Sequence, residues 1–343
     1  MKVVDVDLHH QIDWKAVAPY VDGGLRWRVT RPGGPPTARH GYKMVGAPKM
    51  PSAADPAQVR AEYVEPRGID RAVLVGNHLS LGVQPYVDLS AALARAINDW
   101  TLDVWVRPHA CFKGSILVAQ QDPIQAAAEI DRLGDDPGMV QVLMCSAAES
   151  PFGRRQYHPI YEACVRHGLP LALHVGGEGA GISNKPTGAG HPTTYVEWYG
   201  ALPLSYMGHI VSMVSEGVFQ KFPELKVVLY EGGIGWLPHL MWRFDKNWKA
   251  QHGEVPWLTE PPSTFVLGNF RSTTYPLEKL PDLEPIVEMI QGERTLLFGG
   301  NYPNQEYGDP FAMVEELPAG VRERVMARNA LDLYGERLLA PNA

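Results

Sequence analysis

The chain has 343 residues, 45% of them hydrophobic and 20% charged, enough to fill a large core and too apolar for a disordered or low-complexity chain. Its formal net charge of −7 comes from 31 basic and 38 acidic residues, a mild and mixed acidity that argues against nucleic acid as a main partner. No apolar run approaches the roughly 20 residues of a membrane span and the N-terminus has no signal-peptide layout, so a cytoplasmic protein acting on a small molecule is expected.

Val3 to His9 alternates apolar and acidic residues and reads as a first strand that ends in polar groups. Residues 21–55, rich in Gly, Pro and Arg, read as a long irregular insertion after it, a candidate lid carrying Arg26, Arg28, Arg31 and His40. Short apolar runs then alternate with stretches of helical period. Strands are expected at 72–75, 109–112, 140–144, 171–174, 227–231, 270–273 and 295–298. Helices are expected at 89–103, 124–133, 159–167, 209–222, 236–248 and 321–334. Eight strands alternating with helices imply parallel pairing and right-handed crossovers, hence an α/β chain forming a single (β/α)8 TIM barrel over residues 1–343. A doubly wound open sheet is the competing architecture. No glycine-rich phosphate loop follows the first strand to favour it.

In such barrels chemistry gathers at the C-terminal ends of the strands. Four ends here carry suitable groups: Asp7 and His9, His174, Glu231, and Asn301. Asp7 and His9 are two residues apart, so both face the same side of their strand, and carboxylate with imidazole suits zinc or manganese. His10 points the other way by the same parity. His174 closes an otherwise apolar strand, where a structural reason for a histidine is scarce. Glu231 can be a base at the mouth or a carboxylate paired with Arg243 or Arg271. His209 can be a second acid–base group or an ordinary helix histidine. Arg271 and Trp236 can bind an acidic or aromatic substrate, or simply pack. Cys111, Cys145 and Cys164 are too few and scattered for a disulfide framework or a cysteine zinc site, and read as free thiols.

Asp5-Val6-Asp7-Leu8-His9 resembles the opening strand of the amidohydrolase-related family, in the barrel superfamily of metal-dependent hydrolases and decarboxylases. Similar family stretches are Gly153 to Tyr161 leading into Leu173-His174, Gly217-Val218-Phe219 through Lys226, Glu231-Gly232-Gly233 through Asp245, Arg271 to Glu278, and Asn329-Ala330. The resemblance implies one divalent ion, zinc first and manganese second, held from the first, fifth and eighth strands. Asp7, His9 and His174 match three ligand positions. The fourth ligand and its following histidine are replaced here, in Gly300-Asn301-Tyr302-Pro303-Asn304, by Asn301 and Asn304. The family aspartate binds the ion and moves the proton of bound water; an amide oxygen ligates weakly and is no general base. The ion is therefore retained with Asn301 as a poor ligand or is absent, and Glu231 and His209 are the substitute bases. Asn304 joins Arg271 and Trp236 as a substrate-contact candidate.

The resemblance implies hydrolysis or decarboxylation of a small cyclic or aromatic carboxylate or amide. A repurposed relative catalysing cyclisation, dehydration or condensation is the first alternative, and a non-catalytic ligand-binding barrel the second. The family also implies a possible homodimer.

Overall fold

The computed structural model describes residues 1–31, 41–42, 51–76, 79–279 and 283–342. Eight parallel strands follow one another in sequence order: β1 (Val4–Leu8), β2 (Arg71–Leu74), β3 (Phe112–Leu117), β4 (Met139–Cys145), β5 (Leu171–His174), β6 (Val227–Tyr230), β7 (Phe270–Thr273) and β8 (Leu296–Leu297). The seam between β8 and β1 is closed by Val6 N donating to Phe298 O at 3.0 Å and His9 N donating to Tyr302 O at 2.7 Å. This is the (β/α)8 barrel expected from the alternation, and the open sheet is excluded.

Helices fill the crossovers. Val87–Thr101 buries Leu89, Leu93, Ala96, Ile97 and Trp100 on one face, and Pro123–Leu133 starts from Asp122, whose carboxylate caps the Ile124 and Gln125 amides. His158–Arg166 returns the chain to β5. Between β5 and β6 the helices are Tyr195–Ala201, Pro203–Ser215 and Val218–Lys221. The single helix expected at 209–222 is thus two, broken where Gly217 takes φ +75°. Leu237–Gln251 follows β6. No helix among the described residues is long and apolar enough to cross a membrane.

The third strand begins at Phe112, where the expected run at 109–112 ends. Polar Lys113 and Ser115 disguise it. Lys113 Nζ is satisfied by Pro137 O at 3.0 Å and Ala340 O at 2.7 Å, and Ser115 Oγ donates to Leu74 O at 2.8 Å. Of the insertion at 21–55, the described part holds the helix Arg26–Thr30, and Arg26 binds the carbonyls of Pro19 and Val21. Residues 32–40 and 43–50, with His40, lie outside the described residues. All three cysteines are free.

Candidate metal centre

The mouth of the barrel gathers Asp7 and His9 from the end of β1, His174 from β5 and Glu231 just beyond β6. One ligand-type atom from each lies within 4.8 Å of the others. His174 Nε2 is 3.2 Å from His9 Nε2, 3.2 Å from Glu231 Oε1 and 3.9 Å from Asp7 Oδ1. His9 Nε2 is 3.2 Å from Asp7 Oδ1 and 3.4 Å from Glu231 Oε1. Atoms bound at about 2.1 Å to one ion stand roughly 3 to 4 Å apart, so these separations fit a shared cation. Asp7 Oδ2 and Asn301 Oδ1 are buried without a hydrogen-bond partner, and Asp7 Oδ1 faces the imidazoles of His9 and His174. Buried lone pairs without donors are costly unless something positive sits among them. His174 Nδ1 donates to Val175 O at 2.7 Å, which leaves the Nε2 lone pair facing the cluster.

The electrostatics agree. Burial pushes the Glu231 carboxyl up, but His174 and His9 outweigh it and hold the group well below the usual carboxylate range. Burial opposes a charge on His9, yet Asp7 and Glu231 overcome it and lift its pKa to about 10. The carboxylates thus create a potential negative enough to hold a proton on an imidazole, and the same potential suits a divalent cation.

Two buried groups, Asp5 and Tyr206, and the half-buried Glu278 set the ligands in place. Asp5 Oδ1 accepts from Gly300 N at 2.8 Å and Asp7 N at 2.9 Å, while Tyr63 donates to its other oxygen at 2.8 Å. Burial raises the Asp5 pKa to about 6. Tyr206 OH donates to Leu173 O at 2.9 Å and Tyr230 O at 2.6 Å, tying the ends of β5 and β6 beside His174 and Glu231. Glu278 caps the amides of Ile234 and Gly235 at 2.9 to 3.2 Å. This explains the Glu231-Gly232-Gly233 run. A Cβ on Gly232 would meet the Tyr206 ring at 2.7 Å, and one on Gly233, already at φ +64°, would meet Glu278 Oε1 at 2.2 Å. Glu231 and Asn301 themselves hold left-handed backbone, φ 55° and 47°. Such conformations cost of order 1–3 kcal/mol in non-glycine residues and tend to sit where function fixes them.

Asn301 is buried at the end of the β8 segment, beside the Leu8–Tyr302 bridge to β1. His209 stands away from the cluster. Its Nε2 donates to Ser146 O at 2.6 Å, its Nδ1 accepts from Phe152 N at 3.2 Å, and its ring stacks on Phe152 with centroids 3.9 Å apart. Both nitrogens are committed, and burial depresses its pKa to about 4. Arg271 is the second residue of β7, in register with Val228, three residues or about 10 Å below Glu231. Its guanidinium serves the carbonyls of Phe270 and Gly268. Glu231 pairs with His9 and His174, and neither Arg271 nor Arg243 is its partner among the described residues. Trp236 is half-buried and its indole donates to Gly232 O at 2.7 Å; Asn304 is half-buried just after Pro303. His10 turns outward, stacked on Trp100 and 3.0 Å from Thr101 Oγ1.

Other groups at the mouth carried no sequence signal that singled them out. Tyr199 OH donates to Glu231 Oε2 at 3.2 Å, and its ring packs on Tyr307 with centroids 5.0 Å apart. Tyr195 lies against Tyr199, and Tyr42 stacks on Trp198. Tyr195, Trp198 and Tyr199 lie in the helix Tyr195–Ala201 and Tyr307 on the segment after β8, away from the strand ends that the sequence marks.

The family model described as Amidohydrolase matches residues 6–335. The chain belongs to the amidohydrolase family. A gamma-resorcylate decarboxylase of Polaromonas sp. is 26% identical over 304 residues, spanning 80% of this chain and 86% of that protein. Among solved structures, a dihydroxybenzoic acid decarboxylase from Polaromonas sp., with bound manganese and the inhibitor 2-nitroresorcinol, matches with a TM-score of 0.69 at 18% identity, covering 97% of each chain. A 5-carboxyvanillate decarboxylase from Sphingomonas paucimobilis matches with a TM-score of 0.70 at 22% identity, covering 97% of this chain and 98% of that one. At these identities the two structural likenesses establish the fold.

Proposed function

We propose that this amidohydrolase-family protein is a metal-dependent decarboxylase of a small aromatic carboxylate. The observation that carries the reading is the donor set of Asp7, His9, His174 and Glu231 at mutual distances that fit one ion, with an aromatic wall beside it. Asn301 offers its amide oxygen as a further ligand. Three oxygen donors and two imidazoles suit manganese, the ion named for the Polaromonas structure, and also admit zinc.

The bound ion would supply a Lewis acid that clamps the substrate's carboxylate and a neighbouring oxygen. The chain's own groups do the rest. Tyr199, Tyr195 and Tyr307 hold an aromatic ring by face and edge contacts and keep water from the bond that breaks.

Asn301 separates decarboxylation from hydrolysis. Hydrolysis needs a base on the attacking water, which an amide cannot be. His209, with both nitrogens engaged, is no replacement. Decarboxylation consumes no water; it needs a clamp and a proton for carbon. The substituted eighth-strand position therefore fits the lyase reaction better than the hydrolase reaction.

Elemental analysis of the purified protein, with carbon dioxide release measured on 2,6-dihydroxybenzoate and 5-carboxyvanillate, tests the reading. Near one equivalent of manganese or zinc, lost in His174→Ala together with activity, is expected. A protein that takes up no divalent ion, or that holds one and hydrolyses aryl amides instead, would refute it.

A further inference from the structure

A carboxylate can give a divalent ion one oxygen or both. Which it does decides what room is left for a substrate. Asp7, His9, His174 and Glu231 form the cluster, and Asn301 adds its amide oxygen. One atom from each leaves an octahedral ion a single free place. A substrate that clamps through two oxygens needs that place and the one held by Asn301, the weakest donor. A second oxygen from Glu231 would fill the free place with the protein's own atom.

Glu231 is arranged to give one. Its Oε1 lies 3.2 Å from His174 Nε2 and 3.4 Å from His9 Nε2. Its Oε2 accepts the Tyr199 hydroxyl at 3.2 Å. An ionised carboxylate has no hydrogen to give, so the phenol is the donor. The backbone beneath is fixed as well: Glu231 N donates to Thr273 Oγ1 at 3.2 Å, and φ is 55°. Tyr199 is held just as firmly. Its helix, Tyr195–Ala201, starts in a capping box, with Glu197 N donating to Thr194 Oγ1 at 3.3 Å and Thr194 N to Glu197 Oε2 at 2.8 Å. Next to it, the buried Trp198 donates its indole N–H to Glu178 O at 3.1 Å, tying the helix to the segment after β5. The Tyr199 ring packs on Tyr195 and Tyr307, with centroids 5.8 and 5.0 Å away, and the Tyr307 amide donates to Tyr275 OH at 2.9 Å. The hydroxyl is thus kept at the carboxylate by packing that does not depend on the hydrogen bond itself.

We propose that Tyr199 is a positioning residue that withholds Glu231 Oε2 from the metal, so that Glu231 serves the ion through Oε1 alone and a place stays open for substrate. The inference rests on the metal-dependent decarboxylase reading above. Phenol and cation compete for the same oxygen, and a hydrogen bond to an ionised acceptor is among the stronger ones. The ring of the same residue belongs to the aromatic wall. One side chain therefore contributes to the substrate's surroundings and also sets the ligand that decides whether the substrate can reach the ion. In Tyr199→Phe the ring stays and the hydroxyl goes. Oε2 then loses its donor beside a cation, and chelation by both oxygens satisfies it.

The test titrates manganese into the full chain and into Tyr199→Phe, then adds 2-nitroresorcinol, the inhibitor named for the Polaromonas structure, as a non-reacting probe. Tyr199→Phe should bind manganese about tenfold more tightly, since one hydrogen bond no longer competes for the oxygen. Relaxation of solvent protons by the bound manganese, which reports the ion's open places, should fall. The probe should bind about tenfold more weakly, having to displace a second carboxylate oxygen. A residue that only braces the site would instead lose manganese and probe together. Tyr199→Phe that binds manganese no more tightly than the parent overturns the assignment. So does a variant whose bound ion relaxes solvent as the parent's does, or one that keeps the parent's affinity for the probe. A parent that binds manganese but releases no carbon dioxide from any aromatic carboxylate tried refutes the decarboxylase reading, while the manganese comparison still judges Tyr199. A parent that takes up no manganese overturns both.

Discussion

Asp5 should be worth more to this protein than a surface-like Asp-x-Asp pattern suggests. Its carboxylate is fully buried and accepts from two backbone amides, Gly300 and Asp7, and from Tyr63 OH. In Asp5→Ala three buried donors lose their acceptor and no water can reach them. Each orphan costs about 1–3 kcal/mol. Relaxation recovers part, leaving roughly 3–5 kcal/mol, a large share of a typical net stability of about 5–15 kcal/mol. In Asp5→Asn the amide oxygen keeps both backbone donors. The new NH2 faces Tyr63 oxygen, which can accept if its own hydrogen turns away, so the loss is about one hydrogen bond, roughly 1 kcal/mol. Urea unfolding of the three proteins measures the differences, and elemental analysis after manganese loading reads the site, because Gly300 carries the backbone into Asn301. Asp5→Ala should lose both stability and metal; Asp5→Asn should lose little of either. An Asp5→Ala protein within 1 kcal/mol of the parent, or an Asn variant as damaged as the Ala variant, would sink the view that this carboxylate pins the eighth-strand segment to the first.

His209 must stay neutral to keep Ser146 O and Phe152 N, so its folded pKa of about 4 lies below the ordinary 6.5. The folded state then binds fewer protons than the unfolded one between those values, and stability present above pH 6.5 is lost as pH falls toward 4. The loss amounts to roughly 3 kcal/mol at most, and the urea midpoint of His209→Gln should lack that share of the acid slope. Manganese at a hundred times its dissociation constant should stabilise the parent by about 2.7 kcal/mol in thermal or urea unfolding and leave His174→Ala unmoved. A shift of equal size in that variant would place the ion elsewhere. Asn301→Asp adds a carboxylate beside Asp7 and Glu231. It should tighten manganese by tenfold or more, about 1.4 kcal/mol, while lowering the stability of the metal-free protein; looser binding would remove position 301 from the ion's surroundings. Gly233→Ala should cost about 1–3 kcal/mol and reduce metal uptake, since its Cβ would displace Glu278 from the two amides that set the turn after Glu231.

The barrel was legible because burial on both faces turns parallel strands into largely apolar runs: 140–144 and 171–174 lie inside observed strands, and 227–231 runs one residue past its own. The third strand was misplaced because Lys113 and Ser115 find carbonyl partners that no local pattern reveals. The Asp7 and His9 pair could be read from period two alone, and His174 from its place at the end of an apolar run. Glu231 was visible as a carboxylate at a strand end, but its part in the cluster was not. That depends on a left-handed backbone set by Glu278 and Tyr206, one beyond β7 and the other in the helix before β6. Arg271 misled for a related reason: it belongs to the right strand but to the wrong end of it. The tyrosines sit on the short helix Tyr195–Ala201 and on the segment after β8, where neither period nor spacing marks a residue as facing the mouth.

The supports of the site also bear on how it meets its ion. Asp5 fixes the backbone of Asp7 and of the segment leading to Asn301, Tyr206 ties the strand ends beside His174 and Glu231, and Glu278 sets the turn after Glu231. None of the three is itself a member of the ligand cluster, and each acts through backbone groups. The ligand geometry is therefore written into the barrel's hydrogen bonds and does not wait for the metal to impose it. The consequence is a folded protein that holds unserved acceptors, Asp7 Oδ2 and Asn301 Oδ1, and stores that cost until a cation relieves it. A centre assembled in this way gives up stability in the empty state and gains selectivity for a cation that fits a fixed gap. An exchange of one ligand type, such as aspartate to asparagine at 301, can then alter the chemistry while leaving the frame that holds it in place.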